Sequence, residues 1–121
     1  MLIGEFIQKY QTTKDTVRFY VAEGLLTPAR HGRNYWYSEA DGSDFEQIKA
    51  LQEMGFSIAS IQQIREQHDK HCGTTEQWRY NLSLIDRELT GITQREEELA
   101  HRRASLEDLK SQLMTRLGES Q

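Results

Sequence analysis

The 121-residue chain contains one cysteine, Cys72, and one proline, Pro28. A single thiol cannot build an intramolecular disulfide framework, so packing must hold the fold. No apolar run approaches the roughly 20 residues of a membrane-spanning helix, and no membrane partner is expected. Met1-Leu2-Ile3-Gly4-Glu5 lacks a basic stretch followed by an apolar one, so no secretion signal is read and a cytoplasmic location is expected. Paired carboxylates, a nucleophile–base couple and a phosphate-binding loop are all missing, which argues against an enzyme. No cofactor is expected.

What remains is polar but patterned. Apolar residues make up 36% and charged residues 28%, too polar for one dense core and too periodic for disorder. A small core joined to a long solvated helix satisfies both facts. The net charge is −4, yet residues 1–37 carry Lys9, Lys14, Arg18, Arg30 and Arg33 against only Glu5, Asp15 and Glu23. Binding to a polyanion depends on the field at the contacting face, so an acidic protein with a mildly basic head remains compatible with it.

Phe6, Ile7 and Tyr10 have helical spacing within Gly4 to Tyr10. After a turn at Gln11-Thr12, Thr13 suits the N-cap of a second helix that carries Val17, Tyr20 and Val21 and stops at Gly24. Two short helices split by a tight connection make a helix-turn-helix candidate. Pro28 blocks further helix. His31-Gly32-Arg33-Asn34 supplies turn chemistry, and Tyr35-Trp36-Tyr37 favours strand, so residues 28–37 read as a small β-hairpin, a wing. Ser38 caps a third helix with the stripe Phe45, Ile48, Leu51 and Met54, closed by Gly55. Ser57 caps a fourth, with Ile58, Ile61 and Ile64 facing inward, and His68 to Gly73 reads as a polar link.

From Thr75 to Leu117 there is no proline. Ile85, Ile92, Leu99, Leu106 and Leu113 recur every seventh residue, and Leu82, Leu89 and Leu117 fill the companion position. This is a coiled-coil seam. A helix of about 43 residues would span about 64 Å, and a second copy of the chain is the simplest partner for its seam. Glu96, Arg103 and Lys110 also occupy companion positions. A parallel dimer would set each against its own like charge, whereas an antiparallel dimer centred near Leu99 or Ala100 brings Glu96 towards Arg103, so antiparallel packing is expected.

Several segments, in order and spacing, resemble the MerR family of bacterial transcription regulators. They are Ile3-Gly4-Glu5-Phe6, Asp15-Thr16-Val17-Arg18-Phe19-Tyr20, Glu23-Gly24-Leu25-Leu26 with Pro28, Tyr37-Ser38-Glu39-Ala40-Asp41, and Met54-Gly55-Phe56-Ser57-Ile58. The resemblance covers residues 3–64. It implies a homodimer on double-stranded promoter DNA that distorts the duplex and alters what RNA polymerase meets there. Three departures stand out. Gln11 occupies a corner where the family usually has glycine, Gly42 stands where it prefers leucine, and the wing has no arginine within its aromatic run. Gly42 should weaken the start of the third helix.

The expected fold is mainly α. A winged helix-turn-helix head of four helices and a hairpin fills residues 1–70, followed by a linker at 71–74, a dimerising helix at 75–117 and a tail at 118–121. Thr13, Lys14 and Thr16 sit on the first turns of the second helix, the part of a recognition helix that enters the major groove; the alternative is capping and ordinary surface. The resemblance places Arg18 and Tyr20 at DNA-contacting positions; for Tyr20 the alternative is core packing. From the wing, Arg30, Arg33, Tyr35 and Tyr37 would clamp the flanking backbone, Arg30 and Arg33 standing in for the missing arginine. Leu82, Ile85, Leu89, Ile92, Leu99, Leu106 and Leu113 form the dimer seam. No metal site is assigned; His68, His71 and Cys72, an H-x-x-H-C run, are the candidate donors, against the reading of a polar link. The competing function is a protein-interaction adaptor whose coil assembles with another protein.

Overall fold

The computed structural model describes residues 1–119, His71 by its backbone only. The order of elements is α1 (Ile3–Lys9), α2 (Lys14–Ala22), β1 (Ala29–His31), β2 (Asn34–Trp36), α3 (Glu39–Glu53), α4 (Ile58–His71) and α5 (Thr75–Glu119). The expected architecture of four helices, a hairpin and one long helix is therefore present. Gly118 and Glu119 of the expected tail continue α5, and the last two residues lie outside the described ones. Two compact units divide the chain, Met1–Asn81 and the segment from Leu82 onward.

Caps set the helix starts. The Thr13 hydroxyl accepts from the Thr16 amide at 3.2 Å, satisfying one of the orphan donors that open α2. Ser38 and Asp41 form a reciprocal capping box at α3, the serine hydroxyl accepting from the Asp41 amide and the carboxylate from the Ser38 amide. Asp41 is buried at 8% exposure, so its role exceeds the dipole stabilisation of an exposed first-turn acid. Ser57 caps α4 through the Ser60 amide. Gln11 adopts φ +52°, the left-handed corner that its place between two helices demands, at a cost that glycine would avoid.

The link before α5 is shorter than the sequence reading of His68 to Gly73. Helix α4 continues through His71, leaving Cys72–Thr74 as the connection. Nothing between Ile64 and Cys72 breaks a helix, the Glu66–Lys70 pair bridges one turn at 2.7 Å, and the turn comes at Gly73 with φ +76°. Gln77 staples the junction: its side-chain carbonyl accepts from the Gly73 amide at 2.7 Å and its own amide donates to the Thr74 hydroxyl.

The head's core contains Phe6, Val17, Tyr20, Leu25, Leu26, Tyr37, Phe45, Ile48, Phe56 and Ile61. The stripe expected on α3 is therefore only partly inward. Phe45 and Ile48 are buried and Leu51 half-buried, but Met54, at the C-cap, is exposed. Among the described side chains of α4, only Ile61 is fully covered, with Ile58 and Ile64 half-buried. An Arg65–Asp44 ion pair at 3.2 Å ties α4 to α3.

Gly42 proves to be a packing requirement. It is buried, and a Cβ there would fall inside the phenol of Tyr10. That ring lies 4.7 Å from Phe6 and 6.1 Å from Phe45, centroid to centroid. The helix propensity lost at Gly42 makes room for an aromatic that closes the core. Gly42→Leu should expel Tyr10 and cost about 1–3 kcal/mol in chemical denaturation. Combining it with Tyr10→Ala should cost less than the sum of the two single changes; strict additivity would mean that the two residues do not compete for space.

Candidate nucleic-acid interface

Helix α2 is exposed on one side and anchored on the other. Val17 and Tyr20 are buried, while Thr13, Lys14 and Arg18 are exposed and Thr16 half-exposed. Two clefts flank the helix. The first, about 520 Å³, lies between α2 and the hairpin; Arg18, Val21, Arg33, Tyr35 and Tyr37 are among its walls. The second, about 540 Å³, lies between α2 and α3, with Thr13, Thr16 and Tyr20 on one side and Lys49, Gln52 and Glu53 on the other.

The hairpin pairs Ala29 with Trp36, Arg30 with Tyr35 and His31 with Asn34. This register puts the partners Arg30 and Tyr35 on one face. The guanidinium lies 4.7 Å from the Tyr35 ring centre and donates to its hydroxyl at 3.2 Å, which restrains a long side chain without neutralising it. On the opposite face His31 stacks on Trp36, ring centres 5.4 Å apart. The strand then reaches Tyr37, whose backbone exchanges two hydrogen bonds of 2.7 Å with Met1. The wing is thereby stitched to the segment that leads into α1.

Tyr20 and Tyr37 depart from the expected contact set. Each is only 2% exposed. The Tyr20 hydroxyl donates to the side-chain carbonyl of Gln52 on α3, and burial, with Glu53 nearby, raises its pKa above the usual 10. Burial also raises the pKa of Tyr37, helped by Tyr35 and Asp41 and opposed by the Arg18 charge. Both rings belong to the core, so they hold the exposed groups in place. Gln52, the partner that fixes Tyr20, was not singled out from sequence; its position on the polar flank of an amphipathic helix gave no signal.

Charge pairing sorts the cations of the head. Among the described residues, Lys9 is paired with Glu39, Arg65 with Asp44 and Lys70 with Glu66. Within residues 1–70, and among the described residues, Lys14, Arg18, Arg30, Arg33 and Lys49 have no acidic partner within ion-pair distance. Four of these five are the residues picked out from sequence on α2 and the wing.

Comparison with known proteins decides the class. The model for the MerR HTH family regulatory protein matches residues 1–68, and that for MerR, DNA binding matches residues 44–114. The chain belongs to the MerR family. It is a DNA-binding transcription regulator and not an enzyme. The mercuric resistance operon regulatory protein of Pseudomonas fluorescens is 30% identical over 112 residues, 90% of this chain and 74% of that protein. The Serratia marcescens protein of the same description is 29% identical over the same shares. Two solved structures share the fold. A MerR-family transcriptional regulator from Bacillus cereus has a TM-score of 0.70 at 24% identity, over 89% of this chain and 78% of that one. A transcription regulator from Ralstonia metallidurans in complex with lead(II) has 0.79 at 24% identity, over 91% and 85%.

Metal-related descriptions among these relatives prompt a test of the donors in this MerR-family chain. Cys72 Sγ lies 3.9 Å from His68 Nε2, and His68 Nδ1 is 3.1 Å from the Gln77 side-chain nitrogen. The His71 side chain lies outside the described residues. No group of three or more His, Cys, Asp or Glu side chains able to hold an ion occurs among the described residues. The two described donors, Cys72 and His68, do not by themselves make a closed site. Among the described residues, no helix is long and apolar enough to cross a membrane.

The core placement of Tyr20 has a direct check. Tyr20→Phe should lower unfolding free energy by about 0.5–1.5 kcal/mol through the lost Gln52 bond, with DNA affinity unchanged. Because burial raises both tyrosine pKa values above 10, their contribution to stability should be complete below pH 10 and vanish as pH rises through the folded-state values. A pH-independent stability on the alkaline side would contradict the burial.

Proposed function

We propose that the chain acts as a homodimer on promoter DNA, each head inserting α2 into the major groove while the wing grips the flanking backbone. The observation that carries this is the set of unpaired cations, Lys14, Arg18, Arg30 and Arg33, on α2 and the hairpin in a family that binds DNA. Thr13, Lys14 and Thr16 meet base edges or phosphates at the entry of the recognition helix. Arg18 and Arg33, on the walls of one cleft, and Arg30, held over Tyr35, take phosphates. Tyr35 is half-buried and closes the wing side of the cleft; Tyr20 and Tyr37 support the contacts from behind. In this division the four-helix head with its wing binds DNA, Cys72–Thr74 connects and α5 dimerises.

The second unit supports the dimer. Leu82, Ile85, Leu89, Ile92, Leu99, Leu106 and Leu113 lie on α5 with 38–66% of their surface open, a stripe that an isolated helix cannot bury. A second copy covers it. Antiparallel pairing sets Glu96 near Arg103 of the partner helix, where parallel pairing would oppose like charges. Two heads on one duplex then read two related half-sites, and bending the intervening DNA, at a cost of about 1–6 kcal/mol, is offset by the contacts it permits. RNA polymerase meets the remodelled promoter.

Arg18→Ala and Leu99→Lys separate the two functions. Arg18→Ala should weaken promoter binding while leaving dimerisation and melting temperature unchanged. Leu99→Lys should yield monomers in sedimentation at micromolar concentration and lose DNA binding as a consequence. A Leu99→Lys protein that remained a stable dimer would place the seam elsewhere. A monomeric parent protein would favour the adaptor reading.

A further inference from the structure

Within residues 1–70, one unpaired cation lies on neither α2 nor the wing: Lys49. It is exposed in the last third of α3, has no acidic partner among the described residues, and forms one wall of the cleft whose opposite wall is Thr13, the N-cap of α2, with Thr16 and Tyr20. Arg18 and Arg33 occupy the other cleft, on the wing side of the same helix. Cationic side chains therefore flank α2 on both sides. A major groove is about 12 Å wide and is bounded by a phosphate strand on each edge. A helix seated in it meets phosphates on both sides, and the wing cations account for only one.

We infer that Lys49 binds a backbone phosphate on the α3 side of the recognition helix, opposite the strand gripped by Arg18 and the wing. This rests on the proposed seating of α2 in the groove and adds the residue that closes the clamp. The Lys49 ammonium is a hydrated point charge on a flexible stem, suited to a phosphate and poorly suited to reading one base. Its contribution should therefore be independent of sequence. Glu53, one turn further along α3, shares the cleft but is not within ion-pair distance of Lys49, so the charge stays available. Tyr20 fixes the spacing of the two walls, because its hydroxyl joins α2 to Gln52 of α3.

The test measures dissociation constants against salt concentration for the parent dimer and for Lys49→Gln, Lys49→Arg and Lys70→Gln. The probes are a duplex from the region upstream of the chain's own gene and a random-sequence duplex of equal length. Lys70, on α4, is paired with Glu66 and serves as the control for a charge lost elsewhere. Lys49→Gln should weaken binding to both duplexes by the same factor, roughly fivefold at moderate salt, and flatten the plot of log K against log salt by about 0.9 per head. Lys49→Arg should retain the parental slope, and Lys70→Gln should stay near it. Melting temperatures should be unchanged, as for other exposed substitutions. A Lys49→Gln slope equal to that of Lys70→Gln would overturn the inference while leaving the DNA-binding reading intact. Loss confined to the upstream duplex would also overturn it, by making Lys49 a base-reading residue. A parent protein with no salt-sensitive binding to either duplex would instead refute the reading on which it rests.

Discussion

Phe6 has no exposed surface, and three rings converge on it. Tyr10 and Tyr37 lie at 4.7 and 4.8 Å and Phe45 meets it edge-on at 5.7 Å. Tyr20 joins from α2, 5.6 Å from Phe45. These five aromatics come from α1, the turn after it, α2, the exit of the wing and α3. A head of this size has little apolar area with which to fix a hairpin of two three-residue strands, and such a hairpin is not stable alone. Tilted and edge-to-face ring contacts add to plain burial, and here they decide the geometry. Tyr37 anchors the wing and Tyr20 anchors α2, so Arg18 and Arg33 reach one cleft from two elements. The proposed DNA-facing surface follows from where its buried side is pinned.

The same cluster explains what the sequence made legible. Helical spacing, Thr13, Ser38 and Ser57 as caps, and the glycine stops reveal the helices of the head, turn chemistry the hairpin and heptad spacing α5, because each is a local signal. The last turn of α4 is not legible locally, since a run of polar residues from His68 reads as a link until the Glu66–Lys70 pair and the late glycine are weighed. Gly42 looked like a defect because propensity is local, whereas its reason is Tyr10, thirty-two positions earlier and adjacent only in the folded chain. For Tyr20, which the resemblance places at a DNA contact, and for Tyr37 on the wing, sequence leaves surface contact and core packing as alternatives. A phenol can serve a phosphate or a neighbouring amide equally well, and only the fold supplies Gln52. Lys49 carried no mark in the sequence, because an unpaired cation is recognised only once the positions of the acids are known.

Charge and apolar surface divide the molecule's labour. The protein carries a net charge of −4, which disfavours approach to a polyanion at long range, but screening at ordinary ionic strength confines that repulsion to about 10 Å. Within that distance the head presents cations whose counter-charges lie elsewhere. The acidic excess belongs largely to the remainder of the chain, where α5 also keeps its leucines open. In the proposed dimer two copies gain in two ways: the seam is buried, and the grip of one head is doubled on a single duplex, where the second contact forms at high effective concentration.

The most direct test of this account is the stoichiometry and footprint of the complex on the upstream DNA, by sedimentation of the protein–DNA complex combined with hydroxyl-radical cleavage. The account predicts two chains per duplex, with two protected segments on one face of the DNA related by a two-fold axis. One chain per duplex, or a single continuous protected segment without that symmetry, would contradict it.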